Sequence, residues 1–93
     1  MKDIIVTIPA KYDFTSKLAR LSSYWRIWRW PKETEPGDHI YFIQHGEIRY
    51  QATISESQPG HPTELDFEDV KELPEPRQKM KGFRGYRYFV VSG

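Results

Sequence analysis

Cysteine is absent from the 93 residues, which excludes disulfide staples, cysteine-ligated zinc and thiol redox chemistry, and fits an intracellular chain. Long apolar runs are absent as well. Nothing approaches the roughly 20 residues that a membrane-spanning helix requires, so no membrane partner is expected. The opening Met1-Lys2-Asp3-Ile4-Ile5-Val6-Thr7-Ile8-Pro9 is too short an apolar run and lacks a small-residue cleavage site. It predicts no signal peptide, and the chain reads as cytoplasmic. His39, His45 and His61 match no metal-ligand spacing, so neither a metal nor a cofactor is expected. No internal repeat or low-complexity linker divides the chain. Its length suits one domain with a single core, acting as a monomer or weak dimer.

Acid is missing from one region in particular. After Pro76 the chain carries Arg77, Lys79, Lys81, Arg84 and Arg87 and no carboxylate side chain. Residues 11–32 are similarly biased, with Lys11, Lys17, Arg20, Arg26, Arg29 and Lys32 against Asp13 alone. The stretch 56–75 is the reverse: Glu56, Glu64, Asp66, Glu68, Asp69, Glu72 and Glu75 face only Lys71. The net charge of +1 hides this segregation. If the two basic segments meet in space, they form a positive face that draws polyanions by steering and counterion release. Ordinary solvation of a small domain is the plainer alternative.

Aromatic residues are abundant, with three Trp, six Tyr and five Phe supplying large apolar area per residue. The densest stretch is Lys81-Gly82-Phe83-Arg84-Gly85-Tyr86-Arg87-Tyr88-Phe89, which combines two glycines, two arginines and four rings. Arginine offers a rigid five-donor fork to phosphates or base edges. Rings beside it serve either as core or as a stacking platform for unpaired bases.

The periodicity predicts a mainly β (α+β) fold. Ile4 to Ile8 reads as a first strand closed by Pro9. Phe14, Leu18 and Leu21 recur at helical spacing, with Asp13 or Thr15 as cap and Ser22-Ser23 as the stop; this helix would display Lys17 and Arg20. Extended over 24–30, the chain would put Trp25, Ile27 and Arg29 on one side and Tyr24, Arg26, Trp28 and Trp30 on the other. Pro31, Pro36 and Gly37 mark a loop before a strand over 39–45, and His45-Gly46-Glu47 reads as a tight turn. In the next strand Ile48, Tyr50, Ala52 and Ile54 alternate inward against Arg49, Gln51, Thr53 and Ser55. Leu65, Phe67 and Val70 give a short apolar element, Pro74-Glu75-Pro76 a stiff connector, and Tyr86 to Val91 a final strand. The expectation is a small β-barrel of five to six strands with one or two short helices, or alternatively an open α+β sheet.

The segment Trp25-Arg26-Ile27-Trp28, the Gly37-Asp38-His39-Ile40-Tyr41-Phe42 lead-in to a strand, the strand Gly46-Glu47-Ile48-Arg49-Tyr50-Gln51-Ala52, and the closing Phe83-Arg84-Gly85-Tyr86-Arg87-Tyr88 resemble the PUA-like superfamily, most closely its ASCH and EVE branches. The resemblance covers nearly the whole chain, as one domain over 1–93. It implies a pseudobarrel with a cleft beside the first helix. Family members commonly bind RNA, and EVE-like and YTH-like relatives accept a modified base in an aromatic pocket. Some ASCH members are small amidohydrolases of acylated cytidine that use a lysine, a threonine and a glutamate. Here Lys17 has Thr15 before it and no threonine after it, which ranks binding above hydrolysis.

The expected function is therefore nucleic-acid binding, to RNA or to single-stranded or modified DNA, in a basic aromatic-lined cleft. Trp25 and Trp28 are the preferred stacking residues, ahead of Trp30. Lys17, Arg20, Arg26, Arg29, Lys81, Arg84 and Arg87 are the candidate cations. Arg87 has a second reading as an ion pair with Asp38. If the cleft is instead catalytic, Lys17 and Glu47 form the acid–base pair to test, with His45 beside Glu47 as another. A protein-interaction surface is the remaining alternative.

Overall fold

The computed structural model describes residues 2–12, 14, 22–27, 29–58 and 63–89. Its strands are β1 (Asp3–Thr7), β2 (Ser22–Ile27), β3 (His39–Gln44), β4 (Glu47–Gln58), β5 (Thr63–Glu72) and β6 (Tyr86–Phe89). They form one six-stranded curled sheet in the order β2-β5-β4-β3-β1-β6, with the shape of a half-barrel. β1 and β3 pair in parallel, and every other neighbouring pair is antiparallel. Among the described residues no helix is long and apolar enough to cross a membrane.

The α+β expectation is corrected to a purely β fold: every regular element among the described residues is a strand. Ser22 and Ser23, expected to stop a helix, instead open β2 and pair with Glu68 and Phe67 of β5. Phe14 is buried in the core without belonging to a helix, and residues 15–21 lie outside the described residues. Three apolar positions at helical spacing are a weak signal. A six-residue ladder from Ser22–Glu68 to Ile27–Thr63, with Trp25 and Ile27 packed on the core, outweighs it. The closed barrel gives way too. β2 and β6 are the sheet's two edges, and among the described residues no ladder joins them.

The sheet buries both faces. On the first, Ile4, Val6, Ile40, Phe42, Tyr50, Ala52, Ile54, Leu65 and Phe67 gather with Phe14 in a continuous core. The ring of Phe14 lies 4.7 Å from that of Phe42 and 4.8 Å from that of Tyr50. On the second, Ile5, Tyr41, Ile43 and Ile48 form a smaller cluster covered by Leu73, Met80, Phe83 and Phe89.

The alternation of Ile48, Tyr50, Ala52 and Ile54 leads to four buried residues but not to one face. β3 pairs Phe42 with Tyr50 and then Ile43 with Ile48, so Arg49 is an extra residue on β4. Such a bulge inverts the side-chain alternation beyond it, which sends Ile48 to the second face. The hairpin next to it turns on His45 (φ 56°) and Gly46 (φ 74°). Positive φ at both turn residues matches the twist of the flanking strands.

The cover of the second face is irregular chain held by backbone bonds. Leu73 N donates to Arg49 O (2.7 Å), Ile48 N to Gln78 O (2.9 Å) and Met80 N to Gly46 O (3.0 Å). Phe83 N then donates to Thr7 Oγ1 (3.0 Å), where a β-carbon on Gly82 would stand 2.8 Å from Thr7 Cγ2. That close approach favours glycine, since any β-carbon would push the Thr7 side chain aside.

Candidate functional site

The loop that follows β2 crosses to the opposite edge of the sheet. Tyr86 Oη donates to Trp30 O (3.4 Å), and Glu33 N donates to Tyr88 Oη (3.3 Å). The 29–33 segment therefore spans the gap that a barrel would have closed with a ladder. Thr34 fixes its far end, buried and donating from Oγ1 to Lys2 O at 2.6 Å. Of the 11–32 basic segment, only its last part, around Arg29 and Trp30, is shown to meet the C-terminal segment at β6.

Alternation on β6 places Tyr86 and Tyr88 opposite Val6 and Ile4 on the first face, with Arg87 opposite Ile5 on the second. The two tyrosine rings are 5.7 Å apart and edge-on. Trp30 is 43% exposed and Tyr88 37%, so an aromatic margin faces solvent here. Arg29 is close enough to Tyr86 to act on its hydroxyl. Burial and the neighbouring Tyr88 push the Tyr86 pKa upward, and the Arg29 guanidinium partly offsets them. Lys2 Nζ lies 5.3 Å above the Tyr88 ring and 3.3 Å from Glu33.

The expected site residues divide into three groups. Arg29, Lys81, Arg84 and Arg87 are exposed and have no carboxylate partner among the described residues. Arg84 occupies the turn into β6, and Arg87 lies with Cζ 4.3 Å from the Phe83 ring centre. Asp38, the other partner considered for Arg87, instead accepts from Glu35 N at 2.8 Å. Arg26 lies on the far edge, paired with Glu64 (3.2 Å) and over the Tyr24 ring. Trp25 is half-buried against the core, 5.4 Å from Phe42. Lys17, Arg20 and Trp28 lie outside the described residues.

Glu47, the carboxylate of the expected catalytic pair, belongs to an ion cluster. Arg77, whose side chain is 8% exposed, donates to Glu47 (3.0 Å), Glu72 (2.9 Å), Glu75 (3.3 Å) and Leu73 O (2.9 Å). Arg49 approaches Glu47 and Glu72 at 3.7 and 3.9 Å, and its Nε is buried without a hydrogen-bond partner among the described residues. His45 is exposed at the neighbouring turn. Glu47 is thus held between two arginines as part of the ion cluster that anchors the covering segment. Among the described residues no three His, Asp or Glu side chains could hold a metal ion together.

Beside this cluster the second face opens into a cleft of about 300 Å3. Tyr41, Ile48 and Phe89 line it from the sheet, and Leu73, Pro74 and Pro76 from the covering segment. Gln51 Nε2 donates to Tyr41 Oη at 2.8 Å within it.

Tyr86, Tyr88 and Lys2 are absent from the sequence-based site residues, and Trp30 ranked there behind Trp25 and Trp28. The signal for the tyrosines was their period of two beside arginines on a short last strand. Trp30 was discounted for its proline neighbour, yet that turn carries it across to β6. Compared with models of known protein families, with curated proteins and with solved structures, the chain matches none.

Proposed function

We propose that this protein binds single-stranded nucleic acid, RNA or DNA including modified bases, along the edge formed by β6 and the 29–33 loop. The observation that carries this reading is the contact of Trp30 with Tyr86. It gathers exposed rings and carboxylate-free arginines on one margin of the sheet. Trp30 and Tyr88 offer π-faces to unpaired bases, a contribution of about 1–3 kcal/mol per base. Arg29, Arg84 and Arg87 supply phosphate contacts that are independent of sequence. A duplex hides its base faces, so single strands are preferred. The resemblance to the ASCH and EVE branches points the same way, and the proposal extends to a cytoplasmic protein acting as a monomer or weak dimer.

The test is fluorescence anisotropy with labelled 12-nucleotide RNA and DNA, single-stranded and duplex, across a salt series. Affinity should fall with salt, with a log–log slope of about −0.7 for each phosphate neutralised on a single strand. Arg84→Ala should make that slope shallower by roughly one contact. Trp30→Ala should weaken binding roughly five- to a hundred-fold while leaving the slope in place. Absent or salt-independent binding would reject the proposal. Tighter binding to duplex than to single strands would remove the stacking role.

A further inference from the structure

We propose that the cleft on the second face is a binding site for a small, neutral, planar lactam, a ring that carries an N–H beside a C=O. Two polar atoms define it. Because Tyr41 Oη accepts from Gln51 Nε2 at 2.8 Å, the hydroxyl proton remains to be donated and Gln51 Oε1 remains to accept. Neither has another partner among the described residues. The hydrogen bond between the two side chains fixes this donor and acceptor side by side. A lactam edge presents the complementary pair, its C=O to the hydroxyl and its N–H to the amide oxygen. Burial raises the Tyr41 pKa, so the hydroxyl keeps its proton through the neutral range.

Charge and shape narrow the ligand further. Arg77 is the one charged residue lining the cleft among the described residues; four of its five N–H donors go to Glu47, Glu72, Glu75 and Leu73 O, and its charge is met by three carboxylates. No free cation is offered to an anion, and no free carboxylate to a cation. A neutral ligand fits this lining. Tyr41 and Phe89 contribute rings 4.9 Å apart, and Pro74 and Pro76 contribute stiff, flat surfaces. A cavity of about 150 Å3 already admits benzene. The 300 Å3 here therefore admits a substituted ring. The cleft lies across the sheet from Tyr86 and Tyr88, the stacking side of the proposed nucleic-acid edge, and shares its face with Arg87 alone of that edge's arginines on β6.

The experiment is an NMR titration of the whole ¹⁵N-labelled chain with 2-pyridone, N-methyl-2-pyridone and benzene. 2-Pyridone should shift the Gln51 side-chain amide and the backbone amides of Leu73 and Phe89 saturably. The N-methyl analogue, which leaves Gln51 Oε1 unpaired, should bind roughly five-fold or more weakly. Tyr41→Phe retains the ring, and it should weaken 2-pyridone by a similar factor. No saturable shift with 2-pyridone would overturn the proposal. Equal affinity for the methylated analogue in the wild-type protein would also overturn it, and that comparison depends on no variant folding. If all three probes bind alike and Tyr41→Phe changes nothing, the cleft is merely apolar.

Discussion

The two faces of this sheet are filled by different means. On the first face strand residues pack on one another around Phe14, Phe42 and Phe67. The second face has Ile5, Tyr41, Ile43, Ile48 and Phe89 from the sheet and borrows Leu73, Met80 and Phe83 from the chain between β5 and β6. That cover is fastened by three backbone bonds, the Thr7–Phe83 bond and the carboxylates around Arg77. Apolar burial scales with area and needs no direction, whereas polar fastening depends on every partner being present. The first face therefore sets global stability. The second, held by fewer apolar contacts and more directional bonds, is expected to open locally first.

Truncation in the first core should have the largest effect. Phe42→Ala should cost about 3–5 kcal/mol in urea unfolding, and Phe89→Ala on the second face less than half as much. Equal losses would erase the distinction between the faces. Arg77→Met comes next, at about 2–3 kcal/mol. That is below the cost of breaking a fully buried pair, because water reaches Glu72 and Glu75. Its signature should be local: hydrogen exchange at the Ile48, Leu73 and Met80 amides should accelerate more than at first-face strand amides. A uniform acceleration would mean that both faces unfold as one unit.

Gly82→Ala should cost about 1 kcal/mol, because the new methyl group displaces the Thr7 side chain that accepts from Phe83 N. Thr7→Val should remove the same bond and reproduce part of the loss in thermal unfolding. The smallest effect is alkaline. Tyr41 holds its proton more tightly in the folded protein than in the unfolded chain, through burial first and the nearby Asp3 charge last. Its contribution is thus complete below the ordinary tyrosine pKa of about 10 and is lost as pH climbs through the raised folded value. Tyr41→Phe should flatten the fall in stability above pH 10. An unchanged pH profile would show that Tyr41 is less buried than its 7% exposure indicates.

The local elements were legible in the chain. β-branched and aromatic alternation located β1, β3, β4 and β6, and His45-Gly46 marked the hairpin, because these signals depend on neighbours within a few residues. Charge segregation between 11–32, 56–75 and the tail was equally plain, as was the arginine–aromatic character of 81–89. Pairing was decided elsewhere. Only a partner 46 residues away makes Ser22 a strand residue, and only a bulge at Arg49 sends Ile48 to the opposite face from Tyr50. The same holds for the sites. Trp30 reaches Tyr86 across 56 residues, and Arg77 meets Glu47 across 30. Sequence alone determined which residue types were available and which short segments would be strands. The tertiary structure decided which cations were neutralised and which rings stayed exposed, because both depend on long-range partners that no local pattern encodes.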